Sequence, residues 1–127
     1  MDDVLRVLVV DDSSAMRAFV RASLETELGA DVAEAKSGFE ALRVLPREPW
    51  GLVVVDVNMP DINGLELVSF LRRSEVHRAT PVILISTEAS EVERRRGLEL
   101  GADAFLAKPF DTESLAATAR RVLGETK

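Results

Sequence analysis

Five short runs of β-branched and apolar residues alternate along this chain with five longer segments of helical periodicity, and that alternation restricts the fold more than any other feature. The runs lie at residues 6–10, 31–35, 52–55, 82–85 and 104–107. Strands separated by helix-length segments pair in parallel, since a tight turn joins only antiparallel neighbours. Such crossovers are right-handed, so the helices cover both faces of one sheet. The runs Leu52, Val53, Val54, Val55 and Val82, Ile83, Leu84, Ile85 are apolar without a break, as strands covered on both faces are. Residues 31–35 alternate polar and apolar, which suits a sheet edge. The expected architecture is an α/β (βα)5 fold, doubly wound around a five-stranded parallel sheet. At 127 residues, with no linker or repeat, the chain reads as a single domain over 1–127.

The segments between the runs carry helix signals. Met16, Phe19, Val20, Leu24 and Leu28 recur at steps of three and four, with Ser13 or Ser14 as cap and Gly29 as stop. Ser37 opens a second helix bearing Ala41, Leu42 and Leu45, which Pro46 ends. Leu67, Val68 and Leu71 mark a third. The fourth covers about residues 90–100 and stops before Gly101. Its apolar Val92, Leu98 and Leu100 are interrupted by Arg94, Arg95 and Arg96, so much of it is expected in solvent. Leu115, Ala119, Val122 and Leu123 mark the fifth, capped by Asp111 or Thr112.

Composition removes several kinds of chemistry. With 16 basic and 22 acidic residues the net charge is −6, which disfavours nonspecific binding to nucleic acid or an anionic membrane. No apolar stretch is long enough for a membrane span, and Asp2 and Asp3 stand where a signal peptide carries basic residues, so a cytoplasmic location is expected. The absence of cysteine excludes disulfides and thiolate metal sites, and the lone His77 cannot build a histidine site. His77 is placed in a polar loop without a partner. Trp50, in a Pro-Trp-Gly turn, is expected to pack at the start of the third strand.

What remains is a set of polar residues at strand ends. Asp11 and Asp12 follow the first run, Asp56 the third, Ser86 and Thr87 the fourth, and Lys108 with Pro109 the fifth. In a parallel sheet these ends share one edge, where open α/β sheets bind ligands. Singly, each has an ordinary use as a helix cap or a solvated loop residue. Jointly they gather three carboxylates, an ammonium and hydroxyls at one point. Close carboxylates repel, and a divalent cation with oxygen ligands such as Mg²⁺ relieves the repulsion. Lys108 supplies a compact positive charge for a phosphoryl oxygen, and Ser86 a hydroxyl donor. Asp56, at the centre, is the nucleophile, and its attack on phosphorus gives an acyl phosphate.

The chain resembles the receiver (CheY-like) domains of bacterial two-component response regulators over essentially all of its length. The matching residues are Asp11 and Asp12; Asp56 with Asn58, Met59, Pro60 and Gly64; Ser86 with Thr87; and Lys108, Pro109 and Phe110. The resemblance implies a flavodoxin-like strand order 2-1-3-4-5. It implies that Asp56 accepts phosphate from a sensor histidine kinase. It implies Mg²⁺ held by Asp12, Asp56 and the Asn58 carbonyl, with Asp11 acting through a coordinated water. Ser86, Lys108 and the Thr87 amide are then the phosphoryl contacts, and Asn58 and Glu88 tune the access of water. The Lys108–Pro109 bond is expected to be cis, and Asn63 to cap a third helix starting at Gly64. Ser86 and Phe105 form the switch pair, and the face of the fourth helix, fifth strand and fifth helix meets a downstream protein. The family's frequent threonine and tyrosine are here Ser86 and Phe105, and Thr87 is bulkier than the alanine or glycine common there.

The expected function is a phosphorylation-activated switch rather than a turnover enzyme, with phosphoryl acceptance and autodephosphorylation catalysed by the chain itself. A chemotaxis or motility type is expected. The alternatives are the receiver of a hybrid histidine kinase or a phosphate sink. Ser90 and Glu91 argue against a flagellar motor switch as target, since flagellar regulators are basic there. Because the chain starts at Met1 and ends soon after the fifth helix, a stand-alone regulator is expected, monomeric or dimerising on activation, with no direct nucleic-acid or membrane partner. An aspartyl-phosphate hydrolase would want an aspartate where Asn58 stands. A phosphorylation-independent docking module would not need the intact acidic set.

Overall fold

A computed structural model describes residues 4–87 and 90–124. The elements are β1 (Arg6–Val10), α1 (Ser14–Leu28), β2 (Asp31–Ala35), α2 (Gly38–Val44), β3 (Leu52–Asp56), α3 (Gly64–Arg73), β4 (Val82–Ser86), α4 (Glu91–Leu100), β5 (Ala104–Ala107) and α5 (Thr112–Val122). The strands pair in parallel in the order β2-β1-β3-β4-β5. Fold class and strand order are those expected.

The period of two in the strands divides the core into halves. Leu8, Val10, Val53, Val55 and Leu84 face α2, α3 and α4, packing with Ala41, Leu67, Val68 and Leu71. Val7, Val9, Leu52, Val54, Ile83 and Ile85 face α1 and α5, packing with Val20, Leu24, Leu115 and Ala119. β3 and β4 are buried along their whole length, as their unbroken apolar sequences require. The edge strands β2 and β5 are only partly covered. Phe19, on the expected apolar face of α1, lies at its margin and meets the Phe110 ring, with centroids 5.9 Å apart.

Caps set the points where chain leaves the sheet. The Ser13, Ser37, Asn63, Ser90 and Asp111 side chains each accept a backbone N–H in the first turn of α1, α2, α3, α4 and α5. This selects Ser13 over Ser14 and Asp111 over Thr112. Gly29 closes α1 in the left-handed conformation. α2 stops at Val44 and passes into a 3-10 turn over Leu45–Arg47, because Pro46 has no N–H with which to continue the ladder. β3 and β4 each run one residue beyond their apolar runs: Asp56 stays in register with Ile85, and Ser86 with Ala107.

His77 departs from expectation: it is buried, not a solvated loop residue. Arg72 Nη1 donates to the His77 and Thr80 carbonyls and folds that loop inward. The His77 Nε2 lies 2.9 Å from the Leu45 carbonyl, so the ring carries its proton on Nε2 and donates. The same carbonyl accepts from Trp50 Nε1 at 3.2 Å. Trp50 is buried before β3, with the Arg6 guanidinium over its ring. Both rings therefore anchor the end of the sheet opposite the strand-end carboxylates.

Candidate functional site

The carboxyl ends of β1, β3, β4 and β5 bring Asp11, Asp56, Ser86 and Lys108 together. Asp11 follows β1 and is fully buried. Its Oδ1 accepts the Ser13 N–H at 2.9 Å, so the start of α1 orients it. Its Oδ2 accepts from Lys108 Nζ at 3.0 Å. The Lys108 ammonium also stands 3.4 Å from Asp56 Oδ1, and thus lies between the two carboxylates. It is placed there by a backbone bond from the Lys108 N–H to the Ser86 carbonyl, 2.8 Å long, which ties the end of β5 to that of β4. The Lys108–Pro109 bond is cis, as expected.

Asp56 is the last residue of β3 and nearly fully buried. Its Oδ1 accepts the Asn58 N–H at 3.3 Å. Burial, then the charge of Asp11, pushes its carboxyl above the ordinary aspartate value, while Lys108 and the Asn58 N–H pull it back. Ligand oxygens of Asp11, Asp12 and Asp56 lie within 4.8 Å of one another, Asp12 from an exposed position. Three carboxylates against one ammonium leave local negative charge, and the donors are all hard oxygens. That set fits a divalent cation such as Mg²⁺, with Asp12 open to solvent on one side.

Close approach of backbone keeps this end of β3 in place. A Cβ at Gly64 would stand 2.6 Å from the Asp56 carbonyl oxygen and 3.0 Å from its carbon. α3 can therefore begin directly against Asp56 only because residue 64 has no side chain. The Gly64 N–H donates to the Val57 carbonyl; Asn63 caps α3 as expected, and Glu66 turns back to close that cap.

Ser86 is fully buried. Its hydroxyl lies 3.0 Å from Asn58 Oδ1 and 2.9 Å from Glu93 Oε1. Thr87 follows it, exposed. Phe105 is half-buried and pairs in register with Leu84, two residues before Ser86 and on the same face of the sheet. α4 presses on both: a Cβ at Gly97 would meet Leu84 Cδ1 at 2.6 Å and Phe105 Cδ2 at 3.6 Å. Of the expected site residues, Asp11, Asp12, Asp56, Asn58, Ser86 and Lys108 converge, Thr87 lies at their rim, and Phe105 is set back along β5. Glu88 lies outside the described residues.

Glu93 was not foreseen. Ser90-x-x-Glu93 has the spacing of a capping box, which assigns the glutamate to its own helix. The Asn58 side chain was likewise expected to act on water rather than to touch Ser86.

The response regulator receiver domain family matches this chain over residues 7–120. A chemotaxis protein CheY homolog of Campylobacter jejuni is 38% identical over 122 residues, covering 94% of this chain and 93% of that protein. The transcriptional regulatory protein TrcR of Mycobacterium tuberculosis is 37% identical over 119 residues, covering 94% of this chain, which spans only 45% of TrcR. Among solved structures, the chemotaxis response regulator CheY4 of Vibrio cholerae superposes with a TM-score of 0.87 at 35% identity, over 94% of this chain and 99% of that one.

Proposed function

The chain belongs to the response regulator receiver domains of two-component signalling, and on that premise we propose that it is a switch set by phosphorylation of Asp56. The observation that carries this reading is the buried Asp56 carboxylate at the end of β3, held against the Lys108 ammonium beside Asp11. The donor is a phosphohistidine on a sensor histidine kinase. Among the described residues the contacts from Lys108 and Asn58 fall on Oδ1, and we take Oδ2 as the nucleophile. Oδ2 attacks phosphorus, the P–N bond breaks with its electron pair returning to the imidazole, and an acyl phosphate forms.

Asp12, Asp56 and the Asn58 carbonyl would hold Mg²⁺, with Asp11 acting through a coordinated water. The bound ion supplies charge neutralisation for the phosphoryl oxygens. Lys108 then pairs with one phosphoryl oxygen, the Ser86 hydroxyl donates to another, and the Thr87 N–H assists. Asn58 tunes how water reaches the acyl phosphate during autodephosphorylation. Glu88 is assigned the same task from its place in the sequence alone.

Ser86 and Phe105 carry the change outward. When the phosphoryl group draws the Ser86 hydroxyl inward, the Phe105 ring turns in, and the face of α4, β5 and α5 is altered for a protein partner. That face presents Val92, and Leu98 at its margin, to solvent. The near-complete overlap with the Campylobacter CheY homolog favours a partner of chemotaxis type.

Treatment with acetyl phosphate, with and without Mg²⁺, tests the assignment by the mass of the intact protein. The wild-type chain is expected to gain a phosphoryl group only with Mg²⁺, and Asp56→Asn to gain none. Labelling of the variant would displace Asp56 as acceptor. A wild-type chain that neither labels nor binds beryllofluoride would remove the reading altogether.

A further inference from the structure

Three helices open with the same signature: Ser37-x-x-Glu40 at α2, Asn63-x-x-Glu66 at α3 and Ser90-x-x-Glu93 at α4. In each, the cap side chain accepts the backbone N–H of the glutamate. The glutamates then part company. Glu66 turns back to the Asn63 N–H at 3.1 Å, completing a capping box. Glu40 turns back to the Lys36 N–H at 2.7 Å. Glu93 leaves its own helix and accepts from the Ser86 hydroxyl at the end of β4.

The Ser86 hydroxyl has one proton and, among the described residues, faces the acceptors Asn58 Oδ1 and Glu93 Oε1. An ionised carboxylate is the stronger acceptor, so the proton points to Glu93. The phosphoryl contact assigned to Ser86 needs that same proton. Two anionic oxygens cannot share it without close like-charge repulsion across the buried Ser86 hydroxyl.

We propose that Glu93 is a positioning residue for the reaction at Asp56, acting through Ser86. It holds the hydroxyl in the unphosphorylated state and is displaced when the phosphoryl group takes the proton. The Ser90 backbone N–H, equivalent to the one Glu66 uses in α3, is its alternative partner. Phosphorylation thus exchanges a link between β4 and α4 for a bond inside the first turn of α4. The first turn of the helix that forms the output face is in this way wired to the phosphoryl site by a second route beside Phe105. The inference rests on the reading of Asp56 and Ser86 given above.

Beryllofluoride binding to the full chain in the presence of Mg²⁺, followed by isothermal titration calorimetry, tests it. Glu93→Gln keeps the shape and removes the charge. It is expected to bind about tenfold more tightly than wild type, the effect of one partly screened charge at short range. Glu99→Gln makes the same charge change on an exposed turn of the same helix and is expected to bind as wild type does. Equal affinity of Glu93→Gln and wild type, with only a lower unfolding temperature, would reduce Glu93 to a structural cap. Equal tightening in both variants would assign the effect to net charge, and weaker binding in Glu93→Gln would reverse the proposed sign. Absence of binding to wild type would remove the reading of Asp56 itself, and the inference with it.

Discussion

The junctions that follow β3 and β4 are built alike and connected differently. Each strand ends in a buried polar residue, Asp56 or Ser86, and each loop leads to a helix with an Asn or Ser cap and a glutamate three residues on. At α3 the glutamate closes on its own cap and the helix starts hard against the Asp56 backbone. At α4 the glutamate reaches across to Ser86. The first arrangement is local and dense, which suits a residue whose carboxylate must stay in place. The second trades a local bond for one between elements, so the start of α4 depends on the state of β4. One short sequence pattern therefore serves rigidity at one junction and coupling at the next.

The largest effect is expected where the β3 junction is densest. Gly64→Ala places a methyl group 2.6 Å from the Asp56 carbonyl oxygen, an obstacle of backbone that cannot swing aside. The cost is about 3 kcal/mol, the upper part of the range for overpacking, and is measured as a fall in urea midpoint. Because the displaced atoms belong to Asp56, phosphorylation by acetyl phosphate should fall with stability. A variant of wild-type stability would show that α3 does not need to start so close to β3.

The contrast between the junctions also marks what could be read in the sequence. The parallel sheet and the convergence of Asp11, Asp56, Ser86 and Lys108 follow from the alternation and the strand-end positions, since a parallel sheet brings every such end to one edge, whereas the strand order came from the family resemblance alone. Caps at Ser13, Ser37, Asn63 and Asp111 follow from local chemistry. Two features were not legible because they depend on contacts between segments distant in sequence or on side-chain direction. His77 looked like a loop residue until Arg72 drew its loop over Leu45. Glu93 was not singled out, and the Ser90-x-x-Glu93 spacing alone cannot tell whether a side chain turns back or reaches across.

A second test concerns charge at the β3 end. The Asp56 carboxyl is raised above its ordinary value first by burial, then by Asp11. The folded chain therefore holds this proton to higher pH than the unfolded chain does. Below the unfolded value both states are protonated and no penalty exists. As pH rises toward the folded value, ionisation favours the unfolded state, and the penalty persists at neutral pH. Asp56→Asn is thus expected to stabilise the chain without divalent cation by on the order of 1 kcal/mol at neutral pH, with the gain fading toward acid. Mg²⁺ should raise the wild-type unfolding temperature and do less for the variant. A gain independent of pH would show that Asp56 is not held against its charge.

The smallest effect sharpens the comparison most. Glu66 and Glu93 occupy equivalent positions in α3 and α4, so Glu66→Gln removes the same charge from the same helical position. Among the described residues that charge in α3 serves the cap and the helix dipole, each worth a few tenths of a kcal/mol at a surface. The amide oxygen of glutamine can still accept the Asn63 N–H. Glu66→Gln is therefore expected to lower stability by about 0.5 kcal/mol or less and to leave beryllofluoride affinity unchanged. Measured beside Glu93→Gln, it separates the chemistry of an N-terminal glutamate from the place that glutamate reaches. Equal affinity shifts in the two would mean that any acid in these first turns opposes the phosphoryl group by its field. A shift at Glu93 alone would tie the effect to the hydroxyl of Ser86.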